Sequence, residues 1–199
     1  MSSAHEAITK DQGQALVRLA RKTLMKHFGR KPDPKQDIPL SETLKAPALQ
    51  AHCGTFVTLK LDGSLRGCIG SLQGHEPLVE GVRSHAVDAA FNDPRFRPLG
   101  AKELDRVDIE VSVLSEPRPL TYADADDLIA KLHPGLDGVI VRKGPAQATF
   151  LPQVWEQLPR TEDFLTHLCI KAGLGSDAWR RTHLEVEVYR VQSFEEHRK

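Results

Sequence analysis

Thr55-Phe56-Val57-Thr58-Leu59-Lys60-Leu61-Asp62-Gly63-Ser64-Leu65-Arg66-Gly67-Cys68-Ile69-Gly70 contains two β-rich runs around a tight-turn signal. β-branched and aromatic residues suit a pleated, half-buried surface. Asp-Gly between two such runs is among the strongest short-range hairpin signals. With Asp62-Gly63 as a two-residue loop, Leu59 faces Arg66 and Val57 faces Cys68. Side chains alternate with period two, so Arg66 and Cys68 then share one side of the ribbon. Phe56, Leu65 and Ile69 form the other, more apolar side, and a one-residue slip would reverse the two. Gly67 and Gly70 remove side chains around Cys68, as glycine does in a strand where another group approaches closely.

Working outward, Thr9 caps a helix running to about Phe28, with Leu16, Leu19, Ala20, Thr23 and Leu24 at helical spacing and Gly29 as the stop. Residues 30–47 hold Pro32, Pro34, Pro39 and Pro47 and read as an extended surface connection. A helix is expected over 77–91, broken by the charged loop Asp93-Pro94-Arg95-Phe96-Arg97-Pro98. Val107–Leu114 alternates, with Val107, Ile109, Val111 and Val113 inward and Asp108, Glu110 and Ser112 outward. Thr121 caps a helix to about Leu132, and 138–143 with 147–150 form a second hairpin around Gly144-Pro145. Residues 152–158 and 161–172 are helical, and 184–191 is the last strand before a polar tail. Hairpin-joined strands interspersed with helices give an α+β fold with a largely antiparallel sheet. The domain is expected over residues 8–195, with the proline-rich connection inside it and 196–199 as the tail.

The chain has 199 residues, 40% of them apolar, enough to build a proper core. Lys plus Arg and Asp plus Glu are both 27, so there is no overall basic footprint for nucleic acid. No apolar run approaches the roughly 20 residues needed to span a bilayer. The first residues lack the basic-then-apolar pattern of a secretory signal. Three cysteines at irregular spacing suggest no disulfide framework or zinc ribbon. A cytoplasmic protein with reduced thiols and no membrane association is the expectation. There is no Ser-His-Asp order, glycine-rich phosphate loop or nucleotide fingerprint, so the sequence names no cofactor.

Several segments together resemble the AMMECR family, whose members also appear as AmmeMemoRadiSam system protein A. They are Leu65-Arg66-Gly67-Cys68-Ile69-Gly70, preceded by Gly54-Thr55-Phe56-Val57-Thr58-Leu59, then Asp93-Pro94-Arg95-Phe96, Ile109-Glu110-Val111-Ser112-Val113-Leu114, Gly138-Val139-Ile140 and Ala148-Thr149-Phe150-Leu151-Pro152-Gln153-Val154-Trp155. The match runs in order over about residues 10–195. The resemblance implies one compact α+β unit with two lobes and a cleft near the hexapeptide. It implies association with a Memo-like protein and a radical SAM protein as partners, and no established reaction.

Two functions follow as expectations. In the first, the protein is an accessory or small-ligand-binding component of that pathway, holding a small anionic ligand in a cleft lined by Thr58, Arg66, Gly67, Cys68, Gly70, Asp93 and Ser112. In the second, it is a cysteine-dependent enzyme: Cys68 is the nucleophile, Arg66 lowers its pKa and Glu110 or a histidine moves protons. A guanidinium about 6 Å away contributes roughly 0.7 kcal/mol at water's dielectric and about 3 kcal/mol at an effective value near 20. Only the second figure lowers a thiol from ~8.5 by about two units. Activation therefore requires Cys68 partly buried beside Arg66; otherwise Cys68 is a small packed residue. Arg66 has its own alternative, an ion pair with Glu110 or Asp93. Asp93 and Arg95 read as a loop-closing salt bridge. His85 with Asp88, and His52 with Cys53, lack a third ligand, so no metal site is assigned. Cys169 reads as core, and Trp155 as a hydrophobic anchor.

Overall fold

The computed structural model describes residues 7–31 and 34–196, with the backbone alone for 34–37. Residues 1–6, read above for a leader, and the last three residues of the tail lie outside them. The chain divides into two units, residues 1–114 with 192–199, and 115–191.

In the first unit, α1 (Lys10–His27) opens on a capping box. Thr9 accepts from the Gln12 N–H, and the Gln12 side chain returns the bond to the Thr9 N–H. Leu16, Leu19, Ala20 and Leu24 form its buried stripe, as expected. Residues 30–47 are not an extended connection. They contain α2 (Pro34–Thr43) and, with Pro47 as its first residue, α3 (Pro47–Gln50). Pro34 and Pro47 begin helices, where their missing N–H is no loss, and burial of Leu40 and Leu44 ties α2 to the core.

The hairpin forms as β1 (Thr55–Leu61) and β2 (Ser64–Ser71), with positive φ at both Asp62 and Gly63. Its register differs from the expected one. Lys60 pairs with Leu65, but a bulge follows, so Leu59 pairs with Gly67, Thr58 with Cys68 and Val57 with Ile69. Arg66 is the extra residue of the bulge. Cys68 therefore shares a face with Thr58 and Phe56, not with Val57, and Ile69 packs against the core. The bulge has a steric partner: a Cβ on Gly67 would lie 2.0 Å from the Ala89 carbonyl oxygen of α4 (Leu78–Phe91). Only glycine lets the strand lie on the helix there.

β3 (Val107–Leu114) pairs antiparallel with β1, placing Thr58 opposite Glu110 and Phe56 opposite Ser112. The sheet order is β2-β1-β3-β8, the last strand being β8 (Val191–Glu195). α1 and α4 cover one face over Val57, Leu59, Ile109 and Val111. The opposite face carries Thr58, Lys60, Cys68, Glu110 and Ser112.

The second unit has its own sheet and core. β4 (Arg118–Pro119), β5 (Gly138–Lys143), β6 (Ala146–Phe150) and β7 (Glu185–Tyr189) lie in the order β4-β7-β5-β6, antiparallel throughout. The first helix here, α5 (Ala125–Lys131), is capped by Asp124, which accepts from the Asp127 N–H; Thr121 does not cap it. α6 (Thr161–Lys171) and α7 (Ala178–Arg181) complete the unit. Trp155 stacks on Phe164 at 3.7 Å and donates to the Asp137 carbonyl, so it anchors this core, and Cys169 is fully buried. The expected last strand over 184–191 is in fact β7, and the chain continues past Arg190 into β8 of the other sheet. The fold is α+β with antiparallel pairing, as the sequence predicts. No described helix is long and apolar enough to cross a membrane.

Candidate functional site

β2 is an edge strand, and the outward peptide groups of Cys68 are both occupied. Its N–H donates to Asp93 Oδ2 at 2.9 Å, and its carbonyl accepts from Arg95 at 3.2 Å. Asp93 and Arg95 are also joined to each other, at 3.0 Å (Nε to Oδ1) and 2.7 Å (terminal nitrogen to Oδ2). The Asp-Pro-Arg-Phe loop thus closes over the edge as a clamp, replacing the missing neighbour strand. The Asp93 carboxylate is buried, with only 2% of its side chain exposed, while 55% of Arg95 is exposed. Hydrogen bonding from Arg95 holds the Asp93 carboxyl far below the usual carboxylate range, helped by the N–H groups of Cys68 and Arg95 and opposed by burial. Arg95 is raised in turn, chiefly by its hydrogen bond to Asp93 and against the effect of burial.

The Cys68 thiol lies on the open face of the sheet, where the Thr58 hydroxyl donates to Sγ at 3.3 Å. Across the strands the same face continues through Glu110, which receives the Lys60 ammonium at 2.8 Å and the Ser112 hydroxyl at 3.4 Å. Lys60 also reaches Glu195 at 3.0 Å, and Ser112 meets Ser193 at 3.1 Å. The bond to Glu110 is the main reason the Lys60 ammonium is held above its ordinary range. The face carries two groups of polar contacts, Thr58 with Cys68 at the edge strand, and Lys60, Glu110 and Ser112 reaching to β8.

Arg66 is engaged elsewhere. Its Nε and one terminal nitrogen bind both oxygens of Glu103 at 3.1 Å, and the latter nitrogen also reaches the Pro98 carbonyl. Both side chains are largely buried. These bonds to Arg66, with one from the Gly100 N–H, push the Glu103 carboxyl down to about 2. The ion pair expected for Arg66 exists, but its partner is Glu103, not Glu110 or Asp93.

Of the residues singled out in the sequence, Thr58, Cys68, Glu110 and Ser112 come together on one face, and Asp93 fixes the backbone of Cys68. Gly67 is turned toward α4. Gly70 lies under the Phe56 ring, which a Cβ would approach to 2.4 Å. Sequence reasoning missed Lys60, Glu103 and Ser193. Period two from Thr58 would have placed Lys60 on the face, whereas nothing local to Glu103 announces its partner. Among the described residues, no three His, Cys, Asp or Glu side chains converge as a metal site. The thiols of Cys53 and Cys169 are both raised by burial, Cys53 to about 11.

The AMMECR1 family matches residues 17–194. A protein of Methanopyrus kandleri is 38% identical over 199 residues, covering 96% of this chain and 91% of its own. A protein of Nanoarchaeum equitans is 40% identical over 167 residues, covering 81% and 90%. The crystal structure of an uncharacterized protein from Pyrococcus horikoshii superposes with a TM-score of 0.76 at 35% identity, covering 96% of this chain and 94% of that one. The chain belongs to the AMMECR1 family.

Proposed function

We propose that the protein is a small-ligand-binding, accessory component whose site is the Cys68 end of the open face. It holds a small anion between the exposed guanidinium of Arg95 and the hydroxyl and thiol of Thr58 and Cys68. The observation that carries this reading is the clamp. Asp93 orients Arg95, Arg95 grips the Cys68 carbonyl, and more than half of the cation stays open to solvent at the residue that carries the thiol. Arg66, its donors taken by Glu103, serves the fold and not the ligand. Asp93 positions the pair, and Ser112 and Glu110 extend the polar face.

Alkylation with a charged and a neutral reagent of similar size tests this. Iodoacetate and iodoacetamide are reacted separately with the intact protein, and Cys68 is followed by peptide mass spectrometry. An anion site beside the thiol makes the iodoacetate-to-iodoacetamide rate ratio several-fold higher than in Arg95→Gln, and salt erodes the difference. Arg66→Gln, if folded, leaves the ratio near that of the unaltered protein. A ratio unmoved by Arg95→Gln removes the basis of the reading.

A second reading, a cysteine-dependent enzyme with Cys68 as nucleophile, is favoured by one contact: the Thr58 hydroxyl donates to the sulfur and so stabilises a thiolate. In that reading Arg95 takes the cationic part first given to Arg66. The place of the protein beside a Memo-like and a radical SAM protein rests on the resemblance of its sequence segments. Affinity capture with the intact chain tests it, and eluates lacking both partners would count against that placement.

A further inference from the structure

A cavity of about 270 Å³ opens in the first unit among the helices that pack on the core. Four helices build it: Leu19, Lys22, Thr23 and Lys26 come from α1, Leu40, Ser41, Leu44 and Lys45 from α2 and its exit, Gln50 from α3, and Val79, Glu80 and Arg83 from the first turns of α4. The apolar part of the lining is Leu19, Leu40, Leu44 and Val79, each buried in the core. The polar part holds four basic side chains and one lining carboxylate, Glu80, and of the four Lys22 is engaged in a contact of its own. Lys45 is paired with Glu42 and Arg83 with Glu80, but these are exposed pairs. Such pairs are worth little and yield readily to an incoming anion.

We propose that this cavity binds a small organic anion, a phosphomonoester or a carboxylate on a short apolar body. The anionic head meets Lys26, Lys45 and Arg83, and the body rests on the leucines and Val79. Size sets the limit. A cavity of roughly 150 Å³ holds benzene, so this one takes about eleven non-hydrogen atoms. That is below the range of drug-sized ligands. Phenyl phosphate and phenylacetate both fit this limit. The proposal does not use Cys68 or Arg95 and is independent of the function assigned to them.

The test titrates phenyl phosphate, phenylacetate, inorganic phosphate and benzyl alcohol separately into the intact protein. Binding is followed by ¹⁵N–¹H correlation spectra. Expected is saturable binding of at least one of the two aryl anions, with dissociation constants of about 1 mM or below. The shifts should centre on residues 19–26, 40–45 and 79–83. The isolated head and the neutral body should each bind roughly tenfold more weakly or worse. The double variant Lys26→Gln, Lys45→Gln changes exposed residues, keeps its dispersed spectrum and loses roughly tenfold in affinity. The proposal is overturned if neither aryl anion saturates, if the shifts map elsewhere, if the double variant binds unchanged, or if inorganic phosphate alone binds as tightly as phenyl phosphate. Arg95→Gln, with the cavity intact, leaves this binding unaltered and keeps the two sites experimentally apart.

Discussion

The guanidinium of Arg66 and the carboxylate of Glu103 form a pair that is expensive to break and modest to own. Two charges removed from water recover their desolvation only through close, bidentate contact, and deleting one leaves the other buried alone. Arg66→Ala is therefore expected to cost about 3 kcal/mol or more in urea unfolding. Glu103→Gln carries a pH signature as well. The folded pKa of Glu103 lies at about 2, below its ordinary 4.5, so protonation favours the unfolded chain. Its contribution is complete above about 4.5 and disappears as pH falls toward about 2. The stability gap between the unaltered protein and Glu103→Gln should narrow over that window, and a constant gap would show that the pair is not what Glu103 contributes. At this scale the sequence was half legible. Alternation put Glu110 and Ser112 on the polar face of their own strand, while Thr58 was expected on the side away from Cys68 and pairs with it. The partner of Arg66 depends on how the loop after Pro98 folds back, and no local pattern encodes that.

β2 and α4 meet where one backbone passes directly over another. Gly67→Ala places a methyl group against the Ala89 carbonyl, a fixed part of a helix that cannot rotate away. Strand and helix must separate, and the expected loss is about 2–3 kcal/mol. The Cys68 N–H resonance, bonded to Asp93, should shift with it, since the bulge aims that peptide at the clamp. Retention of both stability and that resonance would refute the packing argument. The same contact explains why the hairpin turn was readable and its register was not. Asp62-Gly63 encodes a turn through its own backbone preferences, whereas the bulge answers to a helix some twenty residues away. α2 was hidden for a related reason. Prolines that open helices look, without the burial of Leu40 and Leu44, like prolines that prevent them.

Two buried clusters, one per unit, organise the whole molecule. The second unit is an insertion between β3 and β8 of the first. Its two ends are adjacent: the Ser115 N–H donates to the Arg190 carbonyl, and the Arg190 N–H donates to the Ser115 hydroxyl, each at 2.9 Å. Insertions with adjoining ends are removable in principle. Replacing residues 115–191 by a short glycine linker should leave the first unit folded, with a cooperative thermal transition of its own. A non-cooperative melt would show that the first core does not stand alone. The alternating run Leu184-Glu185-Val186-Glu187-Val188 leads straight on through Arg190 to Val191, so nothing local shows that the chain changes sheets there.

That late return of β8 sets a timetable for synthesis. The first unit emerges from the ribosome with helices, hairpin and β3 in hand, yet its sheet lacks a border strand until β8 is added. At roughly 5–20 residues per second, residues 115–191 occupy about 4–15 s of translation. Throughout that interval β3 presents an open backbone edge of the kind that recruits other strands. A nascent chain stalled after Val191 keeps that edge permanently, so stalled or prematurely ended products of this gene should be the aggregating ones.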